Sequence, residues 1–488
     1  MNGFLTCLRL IAVLAPFIGG GCGQGEDRYP LAERMSAFEV EWAKEFPSES
    51  SRERALQELD QASLAFLRGD LESAAQQLDL ARLTLSARQK DPGYLWGASL
   101  QLRLHSRLLD AAADSVAFTL EQKYPVELNS KPSLRVEIQL RHFPSQAEFN
   151  QSFPWNGRLP FRRELAFQLL SQKKELQEGD WQLQCTLRAG NEIWARQQRT
   201  LSVAHRLYER LQALEEQLGA PSPDQVPSLE QETAGHLLAR LQSLQGGEAL
   251  EVDYPAVVML RQAEAALQKA SAGEPFFGQR RSGSFYLRVP TGSGLRAPVR
   301  MYVPALKAGE SSRPMVVFLH GAGGSENWAF EGFDRGALLR ACKERRWFLL
   351  ATRSPGFGAP PPLEGILAEL RRRYALDPDR VFLIGHSMGA MHVASLLSSM
   401  KLPVRAAAMI AGAGVPQERS KPSAPLPLFL ATAEKDFARA AVERVAKLLG
   451  DRADLQLQYR LYPRLEHLQV VPAAFPDILS LFADTIKN

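Results

Sequence analysis

From about Asp27 to Asp110 the apolar positions fall at helical spacing. Leu56, Leu59, Leu64 and Leu67 lead to Gly69-Asp70, and Leu71, Ala74, Leu78, Ala81 and Leu85 follow. That is the pattern of an antiparallel helical hairpin broken at Gly69. Its outline resembles one tetratricopeptide unit, but no second copy follows and no Trp-Leu-Gly signature is present, so a plain helical bundle is the better reading of residues 27–110. Over residues 112–204 the period shortens to two. Ser115 to Glu121, Leu134 to His142, Leu165 to Leu170, Trp181 to Leu187 and Glu192 to Leu201 alternate apolar with polar, with turns expected at Gly179-Asp180 and Gly190-Asn191. These strands predict a small β-sandwich-like domain without a catalytic cluster, suited to a spacer or to binding a protein or polysaccharide. Helical spacing returns over 205–273, interrupted at Gly219-Ala-Pro-Ser-Pro223 and Gly246-Gly247.

From about Phe276 to the end, short apolar runs alternate with helical segments. Strands are predicted at Ser284 to Val289, Val299 to Val303, Met315 to Leu319, Trp347 to Thr352, Val381 to Ile384, Ala406 to Ile410, Leu426 to Ala431 and Gln456 to Leu461. Helices are predicted near Trp328 to Arg345, Leu363 to Tyr374, Ser387 to Met400, Phe437 to Leu449 and Pro472 to Ile486. The alternation predicts a mostly parallel sheet with helices on both faces over residues 276–488. The fold class is therefore multidomain: all-α segments and a β-sandwich-like domain precede an α/β domain.

The N-terminus changes the picture. Arg9 precedes the apolar run Leu10 to Ile18, too short for a permanent membrane span and of the length of a secretory signal. Gly19-Gly-Gly-Cys22 follows and resembles the lipobox of bacterial lipoproteins, with Gly19 where leucine is usual. The resemblance implies that residues 1–22 are a lipoprotein signal, that Cys22 is lipidated, and that the protein is exported and tethered to a membrane of the bacterial cell envelope. A cleaved, soluble exported form and an uncleaved anchor are the alternatives. With Cys7 and Cys22 set aside, Cys185 and Cys342 remain in different predicted domains, so neither a disulfide nor a metal site is expected. The chain has 488 residues, 58 Lys and Arg against 54 Asp and Glu, and no basic run interleaved with aromatics, which argues against nucleic acid as a partner.

One stretch carries candidate chemistry. Val381-Phe-Leu-Ile384 runs into Gly385-His-Ser-Met-Gly389 and then into a helix-competent segment. A serine thrust out at a sharp strand-to-helix turn needs small neighbours two residues to either side, which Gly385 and Gly389 supply. A serine hydroxyl is a poor nucleophile until a base takes its proton, so Ser387 needs a histidine and, behind it, an acid.

Leu319-His320-Gly-Ala-Gly-Gly324, Gly385-His-Ser-Met-Gly389, Asp436 after the seventh strand and His467 after the eighth together resemble the α/β-hydrolase superfamily. Met315 to Ser325 followed by Asp377 to Gly389 looks most like its polyhydroxybutyrate-depolymerase and feruloyl-esterase group. The resemblance covers residues 276–488 and says nothing about residues 23–275. It implies acyl transfer without a cofactor: Ser387 as nucleophile, His467 as base and Asp436 as the acid that orients it, with Glu434 the alternative acid. Met388 N–H, with Ala322 or Gly323 N–H, would receive the oxyanion. Trp328, Phe330, Phe357 and His386 are candidates to line the substrate cleft, and His320 is expected to tie the loop beneath it. Only Gly412 to Pro425 separates the sixth and seventh strands, too little for a helical lid, so an open site for a bulky or polymer-linked ester is expected. A peptidase of the same fold, and a noncatalytic interaction protein with a vestigial domain, are the alternatives.

Overall fold

The computed structural model describes residues 25–487, apart from 45–46, 89–90, 129–132, 143–144, 146, 156–161, 169–175, 220–226, 250, 293, 308–309, 311, 355–358, 400–402 and 419–423. The signal segment, Cys22 and Phe357 thus lie outside the described residues. The chain forms two compact units, one of residues 1–213 with 239–261 and the other of 214–238 with 262–488.

In the first unit, helices α1 (Gly25–Trp42), α2 (Glu49–Leu67), α3 (Leu71–Leu85) and α4 (Pro92–Ser99) precede β1 (Leu100–Leu104), β2 (Leu108–Asp110), β3 (Ser115–Gln122), β4 (Leu134–His142), β5 (Glu148–Trp155), β6 (Arg162–Gln168), β7 (Gly179–Ala189) and β8 (Glu192–Ala204). Gly69, at φ 80°, breaks α2 from α3, and Asp70 caps α3 through Ser73 N–H at 3.0 Å. The strands make two sheets, ordered β1-β3-β6 and β2-β8-β7-β4-β5. Their apolar faces share one core, with Phe118 and Phe167 from the first sheet and Val136, Ile138, Trp181 and Leu183 from the second.

Three helices follow, α5 (Leu207–Leu218), α6 (Leu229–Gln245) and α7 (Ala256–Ser271). The second unit then runs β9 (Gly283–Pro290), β10 (Arg296–Val303), β11 (Arg313–Leu319), α8 (Trp328–Glu331), α9 (Phe333–Arg345), β12 (Phe348–Thr352), α10 (Leu363–Arg371), β13 (Leu376–His386), α11 (Met388–Ser399), β14 (Ala406–Ile410), β15 (Leu426–Ala433), α12 (Arg439–Leu449), β16 (Leu455–Tyr462) and α13 (Val470–Lys487). Its eight-stranded sheet is ordered β16-β15-β14-β13-β11-β12-β10-β9. Strand β10 is antiparallel to both its neighbours, and the pairings from β12 to β16 are parallel.

Alternate residues of each central strand feed two separate cores, as the two-residue period of a strand requires. Met315, Val317 and Leu319, with Leu383, Met409 and Leu430, pack under α10, α11 and α12 through Leu367, Val393 and Val442. Val316 and Phe318, with Phe382, Ile384, Ile410 and Phe429, pack under α9 and α13 through Leu338, Phe475 and Phe482. Both faces are covered, so the strands read as continuous apolar runs.

Four expectations are corrected. Strands β1 and β2 lie inside the stretch read as helical; Leu100, Gln101, Leu102 and Leu104 are buried and Arg103 is exposed, so β1 lacks the alternation that marks a strand. Strand β5 was not expected, since an edge strand with one wet face and Pro154 has a weak pattern. Gly179-Asp180 opens β7 rather than turning before it. The single helix expected from Trp328 to Arg345 is two, because Phe333, Asp334, Arg335 and Gly336 all take positive φ. Gly336 is needed there, as a Cβ would lie 2.3 Å from the Phe330 carbonyl oxygen.

Candidate active site

Strand β13 ends at His386, and Ser387 follows with φ 55°, a left-handed backbone that a non-glycine residue adopts at a cost of about 1–2 kcal/mol. Its N–H donates to the Ile410 carbonyl at 2.9 Å and its carbonyl accepts from Ala390 N–H at 3.0 Å, pinning the turn between strand and helix. The flanking glycines are sterically required. A Cβ on Gly385 would lie 2.2 Å from the Gly389 carbonyl oxygen, and one on Gly389 2.0 Å from that of Leu319. These backbone contacts let α11 start directly over the sheet and leave the Ser387 side chain partly exposed at the crest.

Two loops away, His467 Nδ1–H donates to Asp436 Oδ1 at 2.8 Å, both side chains being buried. Asp436 also accepts from Ala438 N–H at 2.8 Å and from the Thr432 hydroxyl at 2.9 Å. Burial alone would raise its carboxyl. The bond from His467 and that ring's charge, with the Ala438 and Thr432 donors, outweigh burial and hold Asp436 below the ordinary carboxylate range. Glu434, the alternative acid, is exposed and accepts from Arg464 N–H at 2.9 Å.

His386 links this pair to Ser387. Its Nε2–H donates to the His467 carbonyl at 3.3 Å, and the two rings lie 4.9 Å apart. Among the described residues Ser387 Oγ and His467 make no hydrogen bond. Residues 316–485 match the family model described as "Alpha/beta hydrolase family". This region is an alpha/beta hydrolase domain.

No curated protein matches the chain. Among solved structures, a ferulic acid esterase is 12% identical, with 42% of this chain and 98% of that one covered and a TM-score of 0.35. The feruloyl esterase module from Clostridium thermocellum is 13% identical, with 41% and 88% covered and a TM-score of 0.31. An S-formylglutathione hydrolase from Staphylococcus aureus is 14% identical, with 43% and 98% covered and a TM-score of 0.32.

In the hydrolase domain the loop after β11 makes a tight turn, Gly324 N–H donating to the Gly321 carbonyl at 3.1 Å with Gly323 at φ 74°. It passes close to Ser387, since a Cβ on Gly321 would lie 3.1 Å from Ser387 Cβ. Met388 begins α11, so its N–H has no carbonyl one turn back. His320 fixes this loop: its Nδ1–H donates to the Gly321 carbonyl at 2.8 Å, and its Nε2 accepts from Ser354 N–H at 3.2 Å.

The expected cleft lining is largely corrected. Phe330 and His386 are buried, His386 between Phe333 at 5.4 Å and Trp328 at 6.5 Å, and among the described candidates Trp328 alone keeps partial exposure. Burial, then the neighbouring His467 ring, pushes His386 down to about 3, so it stays neutral. Three residues escaped sequence reasoning. Thr432 donates to Asp436. Phe437 stacks on the His467 ring, centroids 4.1 Å apart and 27° between planes. Glu466 is fully buried beside His467, its carboxylate accepting from Leu468 N–H at 2.9 Å and Gln469 N–H at 2.6 Å. Their one available signal was adjacency to Asp436 or His467. The described residues between β14 and β15 contain no helix. No group of three or more His, Cys, Asp or Glu among the described residues could hold a metal ion.

Proposed function

We propose that the hydrolase domain is a serine carboxylic-ester hydrolase. The observation that carries this is the buried 2.8 Å bond between Asp436 and His467, joined through His386 to the strained turn at Ser387. Ser387 Oγ attacks the ester carbonyl carbon while His467 Nε2 takes its proton. The charge on the carbonyl oxygen is met by Met388 N–H and by Ala322 or Gly323 N–H, each such donor being worth about 3–4 kcal/mol of barrier. His467 then protonates the departing alcohol. Water, deprotonated by the same imidazole, frees the acid and restores Ser387. Asp436 holds the Nδ1–H tautomer throughout and stabilises the imidazolium.

The open crest suits a bulky or polymer-linked ester. We also propose, from the sequence of residues 1–22, that the protein is exported and held at a bacterial envelope membrane by lipid on Cys22, with the first unit acting as a spacer or partner-binding module. The test is covalent labelling by a fluorophosphonate, followed by peptide mapping. Wild type should label on Ser387 and Ser387→Ala should not. Wild type that stays unlabelled where a control esterase reacts removes the proposal, and short aryl esters assayed beside aminoacyl amides separate esterase from peptidase.

A further inference from the structure

Three large apolar side chains around Ser387 stand open. Met391 is 41% exposed, Val415 53% and Phe437 41%. Met391 lies one turn into α11, after β13; Val415 follows β14; Phe437 follows β15. Because these strands are consecutive parallel neighbours, all three side chains rise from the same carboxyl edge of the sheet. The segment after β14 runs against the backbone of Ser387. A Cβ on Gly412 would lie 2.6 Å from the Ser387 carbonyl oxygen, and one on Gly414 3.7 Å from Met391 Cα. Phe437 turns one face to the His467 ring and leaves two-fifths of its surface to solvent. Single exposed apolar residues are ordinary, whereas several rimming one reactive serine mark a contact surface.

We infer that Met391, Val415 and Phe437 form an open apolar shelf that seats an apolar alcohol portion of the ester, and so determine specificity. The inference rests on the ester-hydrolase reading, and the chemistry gives its direction. As Ser387 Oγ bonds to the carbonyl carbon, its proton passes to His467 Nε2. When the carbonyl carbon's bond to the alcohol oxygen breaks, that oxygen keeps the electron pair and takes the same proton. The alcohol therefore departs neutral past the imidazole, and Phe437 is the side chain stacked on that ring. A strongly hydrated alcohol would gain nothing from such neighbours; an alkyl or benzyl group would.

The test uses the full chain and two ester series: acetates of methyl, butyl, hexyl and benzyl alcohols, and methyl esters of acids of matching size. Wild-type kcat/KM should rise about 10-fold or more across the alcohol series and less across the acid series. Phe437→Ser and Met391→Ser should each cut the ratio of hexyl to methyl acetate by roughly 10-fold, and Phe437→Leu should restore most of it. A ratio within one enzyme cancels any loss of folded protein. A flat wild-type alcohol series, a preference confined to the acid series, or an unchanged ratio in both serine variants overturns the shelf. If the same wild-type preparation labels with fluorophosphonate, the hydrolase reading survives that result; if it neither labels nor hydrolyses any ester, both fall.

Discussion

Glu466→Gln exposes a conflict built into the loop that carries His467. The carboxylate accepts from Leu468 N–H at 2.9 Å and Gln469 N–H at 2.6 Å, bonds that favour its charged form, yet it is fully buried. Burial wins and raises the carboxyl from 4.5 to about 7; the His467 ring opposes this and the Asp436 charge adds to it. Between those two pH values the unfolded chain has released a proton that the native protein keeps, so native stability falls as pH rises. Each tenfold of proton affinity is worth about 1.4 kcal/mol, which makes the whole loss about 3.5 kcal/mol. It is absent below pH 4.5 and complete above about pH 7. Glutamine cannot titrate, and its amide nitrogen meets one backbone donor without an acceptor, a fixed penalty of about 1–3 kcal/mol. Wild type should therefore be the more stable protein at pH 5, and its stability relative to Glu466→Gln should fall by about 2.5 kcal/mol between pH 5 and pH 8. Equilibrium urea denaturation of both proteins at the two pH values measures this. Stabilities that stay parallel across pH, or a wild-type lead that grows at pH 8, would mean the backbone bonds outweigh burial and would refute the reasoning.

Two further changes probe the pair itself. Asp436→Asn keeps an oxygen for His467 Nδ1–H but removes the charge, so kcat on a short aryl ester should fall about 10³–10⁴-fold with less effect on KM; a loss under tenfold would exclude Asp436 as the orienting acid. His467→Ala should abolish fluorophosphonate labelling on the timescale of wild type, whereas His386→Gln should slow it by no more than about 100-fold; the reverse ranking would move the base to His386.

The parallel sheet was legible because strands buried on both faces leave unbroken apolar runs, as at Met315 to Leu319 and Ala406 to Ile410. The elbow was legible because Gly385 and Gly389 answer to backbone atoms 2.2 and 2.0 Å from where a Cβ would stand. What escaped depends on direction in space. Met391 reads as core by its apolar neighbours, but the inner face of α11 is taken by Ala390, Val393, Ala394 and Leu396, and Met391 turns outward. Phe330 and His386, expected at the cleft, sit beneath it because the left-handed turn at 333–336 brings Phe333 back against His386. In the β-rich part the same limit applies: β5 gains its place from pairing with β4, from Leu134 opposite Trp155 to Arg141 opposite Glu148, which no local pattern announces.

Four histidines gather near Ser387, and their surroundings separate them. His320 has both ring nitrogens engaged, by the Gly321 carbonyl and by Ser354 N–H, and so holds its loop. His392 shares a 3.3 Å contact between Nδ1 and the Ser354 hydroxyl, and burial, then His320, pushes it down to about 4. His386 spends Nε2–H on the His467 carbonyl, and at about 3 its bare Nδ1 is too weak a base to accept a serine proton at neutral pH. His467 is bonded to a carboxylate, one that also accepts from two further donors. Burial thus keeps His386 and His392 neutral, while His467 is the ring that donates to the Asp436 carboxylate.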